Sequence, residues 1–170
     1  MSNSTQTLPH NALIGKWDLY YHLPSDPNWD LSSFKVIMTD IDSAEKIISL
    51  NENIPESLVK YCMLFVMKKG ITPLWEDPKN RQGGCFSFKV INNTVHSVWK
   101  SLLYALCGET LCVNKKHMKI INGITISPKK KFCIIRIWLL DCSIQDPSMF
   151  ANIPGLEKKS CLFKQHEPEF

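Results

Sequence analysis

No apolar run in this chain approaches the roughly 18 residues of a membrane-spanning helix. The polar start Met1-Ser2-Asn3-Ser4-Thr5-Gln6 has neither the basic nor the apolar stretch of a secretory leader. Charge of one sign is scarce: 20 basic against 16 acidic residues leave a net +4, too mild an excess to name a partner by itself. The cysteines form no Cys-x-x-Cys pair. There are seven, an odd number, which reads as reduced, buried thiols of a cytosolic or nuclear compartment rather than a disulfide framework, and a cytoplasmic protein is expected. Cys107, Cys112 and His117 are spaced unlike any zinc knuckle, so no metal site is expected. The Gly-x-Ser-x-Gly elbow, the Walker loop and His-Glu-x-x-His are all missing, and with them the local signatures of hydrolase, nucleotidase and zinc-peptidase chemistry. No catalytic residue and no cofactor are expected. Repeats and low-complexity stretches are absent too.

What is present suits one globular domain. A chain of 170 residues, 44% hydrophobic and 21% charged, buries about two-thirds of its unfolded surface in one core. Residues 1–9 are polar and aperiodic, an expected mobile arm, and residues 10–170 are read as a single domain. Trp17–His22 and Phe34–Met38 alternate as strands around the loop that carries Trp29. Asp42-Ser43 offers an N-cap to a helix from Ala44. Tyr61–Met67 is an apolar run of strand length, and Cys85–Val90 a further strand after Gly83-Gly84. From Thr94 to Cys107 the residues Val95, Val98, Trp99, Leu102, Leu103 and Leu106 recur at helical spacing before a stop at Gly108. Ile120–Ser127 and Phe132–Leu140 form a hairpin with Pro128-Lys129-Lys130-Lys131 at its tip. A short helix near Ser148–Ile153 and a strand near Lys159–Phe163 follow. The expected fold is α+β, a curved antiparallel sheet with helices packed on its convex face and a ligand slot on the concave side.

The chemistry concentrates in Gly70-Ile71-Thr72-Pro73-Leu74-Trp75-Glu76-Asp77-Pro78-Lys79-Asn80. An ionised carboxylate accepts both donors on the edge of a guanine. An indole face attracts a cation, which a guanine becomes when methylated on its imidazole side. Trp75 and Glu76, with Trp29 from the upstream loop, therefore suit a methylguanosine. Against this stands the ordinary state of a Trp-Glu pair, a packed ring beside a solvated charge. The lysines at the hairpin tip have the same two readings, a solvated turn or a phosphate site.

The order of these features resembles the eukaryotic translation initiation factor 4E family, which binds the 7-methylguanosine cap of messenger RNA. The similarity rests on Trp17, Trp29, Gly70-Ile71-x-Pro73-x-Trp75-Glu76-Asp77-x-Lys79-Asn80, Gly83-Gly84, Trp99-x-x-Leu102-Leu103, Gly108-Glu109 and Ile137-Trp138, from about His10 to Asp141. The resemblance implies that Trp29 and Trp75 sandwich the methylated base, that Glu76 grips its edge, and that Trp138 lies near the methyl group. It also places Trp17 and Trp99 at core positions, and Lys129, Lys130 and Lys131 on the cap phosphates. A protein partner, scaffold or repressor, is implied on a surface formed by His10, Ile48, Trp99, Lys100, Ser101 and Tyr104.

Several positions depart from the family pattern. Cys85 stands where an arginine is usual and Ile134 where a lysine is, which leaves the phosphates to Lys129–Lys131. Ile48 replaces a tryptophan on the first helix, and Lys100, Ser101 and Tyr104 replace leucine, glutamate and leucine, so the partner's motif is expected to be non-standard. The family segment that folds over the cap's second nucleotide is expected to be mostly missing. The leading expectation is a cap-binding protein of translation initiation. Alternatives are a cap-binding repressor, a general single-strand RNA binder and a cap-processing hydrolase.

Overall fold

The computed structural model describes residues 11–169. His10, the expected arm at residues 1–9 and Phe170 lie outside them. Strands β1 (Ala12–His22), β2 (Lys35–Ser43), β3 (Met63–Lys68), β4 (Gly84–Ile91), β5 (Ile121–Pro128), β6 (Phe132–Leu139) and β7 (Leu162–Gln165) form one sheet in the order β2-β1-β3-β5-β6-β4-β7. Every pairing is antiparallel. Helices α1 (Ala44–Asn53), α2 (Glu56–Tyr61) and α3 (Val95–Cys107) lie on the convex face of this curved sheet, the expected α+β arrangement.

Strand alternation sorts the side chains between the two faces. In β6, Cys133, Ile135 and Ile137 are fully buried under the helices, while Phe132, Ile134 and Arg136 between them are half-buried on the other side. The convex core joins these to Trp17, Leu19, Phe86, Phe88 and the inner face of α3. A smaller cluster on the concave face contains Phe34, Phe65, Met67, Ile71, Cys85 and Trp138. The sheet thus separates a large core from a small aromatic floor, and the floor positions the site.

Ser43 caps α1 as expected, its hydroxyl accepting from the Lys46 N–H at 3.3 Å. Helix α2 was not expected. Tyr61 ends this helix rather than opening a strand, and β3 starts at Met63. Six residues are too few to show helical periodicity, and only Val59 of them is buried. The expected short helix near Ser148–Ile153 is a single 3-10 turn, Pro147–Met149.

Gly108 does stop α3, but by its size rather than by a left-handed backbone. Its φ is −84°, and a Cβ there would stand 2.8 Å from the Tyr104 carbonyl oxygen. The left-handed residue is Glu109, at φ 59°. Thr110 N–H donates to the Ala105 carbonyl at 2.9 Å and Glu109 N–H to that of Leu106 at 3.3 Å, the paired bonds of a Schellman cap with glutamate in the place glycine usually takes.

All seven cysteines are free. Burial pushes the Cys107 thiol up to about 12 and that of Cys112 to about 11, which keeps both protonated and poor as metal ligands. Among the described residues no group of His, Cys, Asp and Glu is gathered for a metal, and no helix is long and apolar enough to cross a membrane.

Candidate functional site

The five tryptophans divide cleanly. Trp17 and Trp99 are fully buried and Trp138 is 4% exposed, whereas Trp29 is 51% exposed and Trp75 half-buried. The two accessible indoles are those on loops, and both border the concave aromatic floor. Trp29 meets Phe34 at 6.2 Å between ring centroids, and Phe34 meets Phe65 at 5.0 Å. Trp75 packs against the same cluster, beside Trp138.

Each accessible indole has a histidine on one face. The His22 ring is parallel to Trp29 within 1° at 4.2 Å. His166 stacks on Trp75 at 5.5 Å and 16°, and also touches Trp138 at 5.0 Å. Backbone carbonyls fix both histidines: those of Leu23 and Asn28 lie 2.9 and 2.7 Å from the His22 nitrogens, and that of Asn80 lies 2.7 Å from His166 Nδ1. A stacked and tethered partner reduces the ring's freedom before any ligand arrives, which lowers the entropic cost of binding on the other face. The sequence reading found neither histidine.

The Trp75 loop is held by its polar residues. Gly70, at φ +86°, turns the chain out of β3, and the Ile71 N–H closes that turn onto the Lys68 carbonyl at 3.0 Å. One Asp77 carboxylate oxygen accepts from the Thr72 N–H and hydroxyl at 2.8 and 2.9 Å, and the other accepts from the Lys79 N–H at 2.9 Å. Fully buried Asn80 donates to the carbonyls of Thr72 and Leu74 at 3.0 and 2.8 Å and accepts from Asn122 at 3.0 Å. Gly83 closes the loop where only glycine fits, since a Cβ would lie 1.8 Å from the Leu139 carbonyl oxygen.

This internal wiring gives adjacent carboxylates different roles. Asp77 is consumed by the loop's own donors. The Glu76 carboxylate has one long contact among the described residues, from the Glu169 N–H at 3.4 Å, so its acceptor capacity is largely unused. Trp138 is positioned otherwise. Its Nε1 donates to the Thr125 hydroxyl at 3.2 Å, and its ring belongs to the aromatic floor with Cys85 and meets His166.

His166 Nε2 is buried without a partner among the described residues. Burial holds its imidazole below the ordinary 6.5, outweighing the Asn80 carbonyl, which favours the proton. With the folded value depressed, the unfolded chain takes up the proton first. The stability tied to neutral His166 is therefore complete above about pH 6.5 and is lost as the pH falls below it. The thermal midpoint is expected to fall more steeply between pH 7 and 5 in the native protein than in His166→Gln, which keeps a donor for Asn80 but does not titrate. Identical profiles would refute this role.

Lys129, Lys130 and Lys131 are exposed at the β5–β6 turn, which the Lys129 N–H closes by donating to the Phe132 carbonyl at 2.8 Å. Cys85 and Ile134 face the concave side as neutral residues. On the helical face Ile48 and Tyr104 are 45% and 41% exposed, Ser101 is exposed and Lys100 half-buried. Trp99 must be removed from that surface. Fully buried on the inner side of α3, it offers a partner nothing, because residues adjacent in a helix point about 100° apart. His10 lies outside the described residues.

The family described as Eukaryotic initiation factor 4E matches residues 12–166. A curated relative from Candida glabrata, a eukaryotic translation initiation factor 4E, is 30% identical over 148 residues, 84% of this chain and 68% of that protein. A eukaryotic translation initiation factor 4E homolog of Acanthamoeba polyphaga mimivirus is 47% identical over 62 residues, 36% of this chain and only 23% of the viral protein's length. Among solved structures, C. elegans eIF4E-3 in complex with the 4E-binding protein Mextli and a cap analog is 27% identical with a TM-score of 0.69, over 79% of this chain and 77% of that one. Ascaris suum eIF4E-3 with an m2,2,7G cap is 25% identical with the same TM-score, over 79% and 76%. Because the match begins in β1 and runs through the tryptophan loop to His166, taking in the whole sheet and both histidine-backed indoles, the chain belongs to the eukaryotic initiation factor 4E family.

Proposed function

We propose that this protein binds the 7-methylguanosine cap of messenger RNA without covalent chemistry and acts in translation initiation. The observation that carries the reading is the pairing of two accessible, histidine-backed indoles on one aromatic floor with a Glu76 carboxylate left free by its neighbour. Trp29 and Trp75 take the two faces of the methylated base, Glu76 accepts from its edge, and Trp138 supports the methyl side. The phosphate chain then runs along β6 toward Lys129, Lys130 and Lys131. Solved family members carry a cap analog or an m2,2,7G cap, which fits this assignment. Residues 10–170 act as a single cap-binding domain in a reducing cytoplasm, where the free thiols persist.

The helical face is proposed to dock a protein partner; a C. elegans relative is solved in complex with the 4E-binding protein Mextli. Here Ile48, Lys100, Ser101 and Tyr104 set the chemistry of contact. An aliphatic side chain and a lysine suit a partner motif with less aromatic packing and more acidic character than an exposed tryptophan would select.

Tryptophan fluorescence tests the cap assignment, because the indoles it would perturb are the accessible ones. Methylated guanosine triphosphate is expected to bind about ten- to a hundredfold more tightly than its unmethylated counterpart, from cation–π attraction of roughly 1–2 kcal/mol per desolvated face. Equal affinities would leave a general single-strand RNA binder as the better description.

A further inference from the structure

Three rows of side chains cross the concave face beside the tryptophans. Antiparallel pairing sets Gly123, Trp138, Cys85 and Lys164 in one row, Thr125, Arg136, Ser87 and Leu162 in the next, and Ser127, Ile134 and Lys89 in the third. The first row reaches an acid only at buried Asp18 in β1, beyond Met67; across β5, β6, β4 and β7 the rows hold no aspartate or glutamate but do hold Arg136, Lys164 and Lys89. Their charges are unequally engaged. Lys89 lies over the Phe132 ring at 4.4 Å, and Lys164 meets Glu167 at 3.5 Å in a solvent-exposed pair. Arg136 is half-buried and makes no hydrogen bond or ion pair among the described residues.

A guanidinium in that state is unusual. It brings five donors in a planar fork, and partial burial removes some of the water that would otherwise satisfy them. Its position narrows what could satisfy it. Arg136 is two residues from Trp138 on the same face of the same strand, about 7 Å along β6, whereas Lys131 is seven residues away, about 23 Å. Arg136 and Lys164 also converge. Both act on the Cys85 thiol, each partly opposing the burial that raises it. Ser87 is the register partner of Arg136 in β4, and its side chain also acts on the Cys85 thiol.

We propose that Arg136, with Lys164 beside it over Cys85, is the primary grip for the phosphate chain of a nucleotide held by Trp29 and Trp75, and that Lys129–Lys131 meet only its more distant phosphates or the nucleotides beyond. This rests on the cap-binding reading. An anionic ligand suits the part of the rows around Arg136, where cations and hydroxyls stand and Glu167 is an exposed partner of Lys164. It must be tethered to a base because Arg136 adjoins the aromatic floor. Cys85 itself, held neutral by burial, adds no charge between the two cations.

The test titrates Arg136→Gln, Lys164→Gln and Lys129→Ala/Lys131→Ala with methylated guanosine triphosphate and with the bare methylated nucleoside, at several salt concentrations. Arg136→Gln is expected to weaken the triphosphate about ten- to a hundredfold and the nucleoside hardly at all, and to reduce the salt slope by about one. Lys164→Gln follows with a smaller loss, and the double lysine variant loses less than Arg136→Gln. Arg136→Lys keeps a charge but not the fork, and is expected to lie between the native protein and Arg136→Gln. Nucleoside affinity near the native value certifies that each variant is folded. A native triphosphate affinity and salt slope in Arg136→Gln, or a larger loss in the double lysine variant, would overturn the proposal and leave the base clamp standing. If the native protein bound neither probe, the cap reading would fail, and this assignment with it.

Discussion

Glu76→Gln is expected to lose about 2–4 kcal/mol of affinity for methylated guanosine nucleotides, thirtyfold to several hundredfold, with no loss of fold stability. The amide matches the carboxylate in shape, so the slot stays intact. It presents an N–H toward a base edge that itself donates, however, and it carries no charge to strengthen the remaining bond. The neighbouring residue supplies the control. Asp77 accepts three internal hydrogen bonds that hold the loop, from Thr72 N–H, the Thr72 hydroxyl and Lys79 N–H. Asp77→Asn should therefore lower thermal stability first and affinity only as a consequence. Calorimetric titration and melting of the two variants separate the roles. Native affinity in Glu76→Gln would remove that residue from the site, and a stable Asp77→Asn with lost binding would transfer its role to Asp77.

Much of this arrangement was legible in the sequence because it obeys local periodicity. The alternation of β6 separates Arg136 and Trp138 from Ile135 and Ile137, and the three- and four-residue spacing of Val95, Val98, Leu102 and Leu106 defines the buried side of α3. The Trp75-Glu76 loop was recognisable by its turn residues and its chemistry. What could not be read depends on contacts between distant positions. His166 reaches Asn80 across 86 residues, and nothing near it in the chain marks it as the support for Trp75. The roles of Glu76 and Asp77 differ only because Thr72 and Lys79 direct their donors at one of them. Trp99 was counted with its neighbours Lys100 and Ser101 on a partner surface, although its own place in the apolar spacing puts it in the core. Arg136 needed the register. Until β4 and β7 are paired beside β6, it is one arginine in an apolar strand, with no visible relation to Lys164.

The same dependence on distant contacts makes Asn80 the most consequential polar residue of the loop. Its side-chain amide donates to Thr72 and Leu74 and accepts from Asn122, its N–H reaches the Asp77 carbonyl at 2.8 Å, and its own carbonyl receives His166. Loop, sheet and C-terminal segment therefore meet at one fully buried residue, the first two through its side chain and the last through its backbone carbonyl. Asn80→Ala strands two carbonyls and removes one acceptor from Asn122, which keeps its second bond to the Lys79 carbonyl at 2.9 Å. Unsatisfied buried groups cost about 1–3 kcal/mol each, and water entering the gap returns part of that, so the expected loss of unfolding free energy is about 2–4 kcal/mol. Asn80→Asp should be worse at neutral pH. It keeps the size and the acceptor but turns a carboxylate toward the carbonyls of Thr72 and Leu74, replacing two attractions with two repulsions at a fully buried position. Cap affinity measured well below each variant's melting transition should fall as well, because Trp75 and Glu76 lose the frame that aims them. Urea unfolding decides the matter. If Asn80→Asp were as stable as the native protein, the amide network could not be what holds this loop.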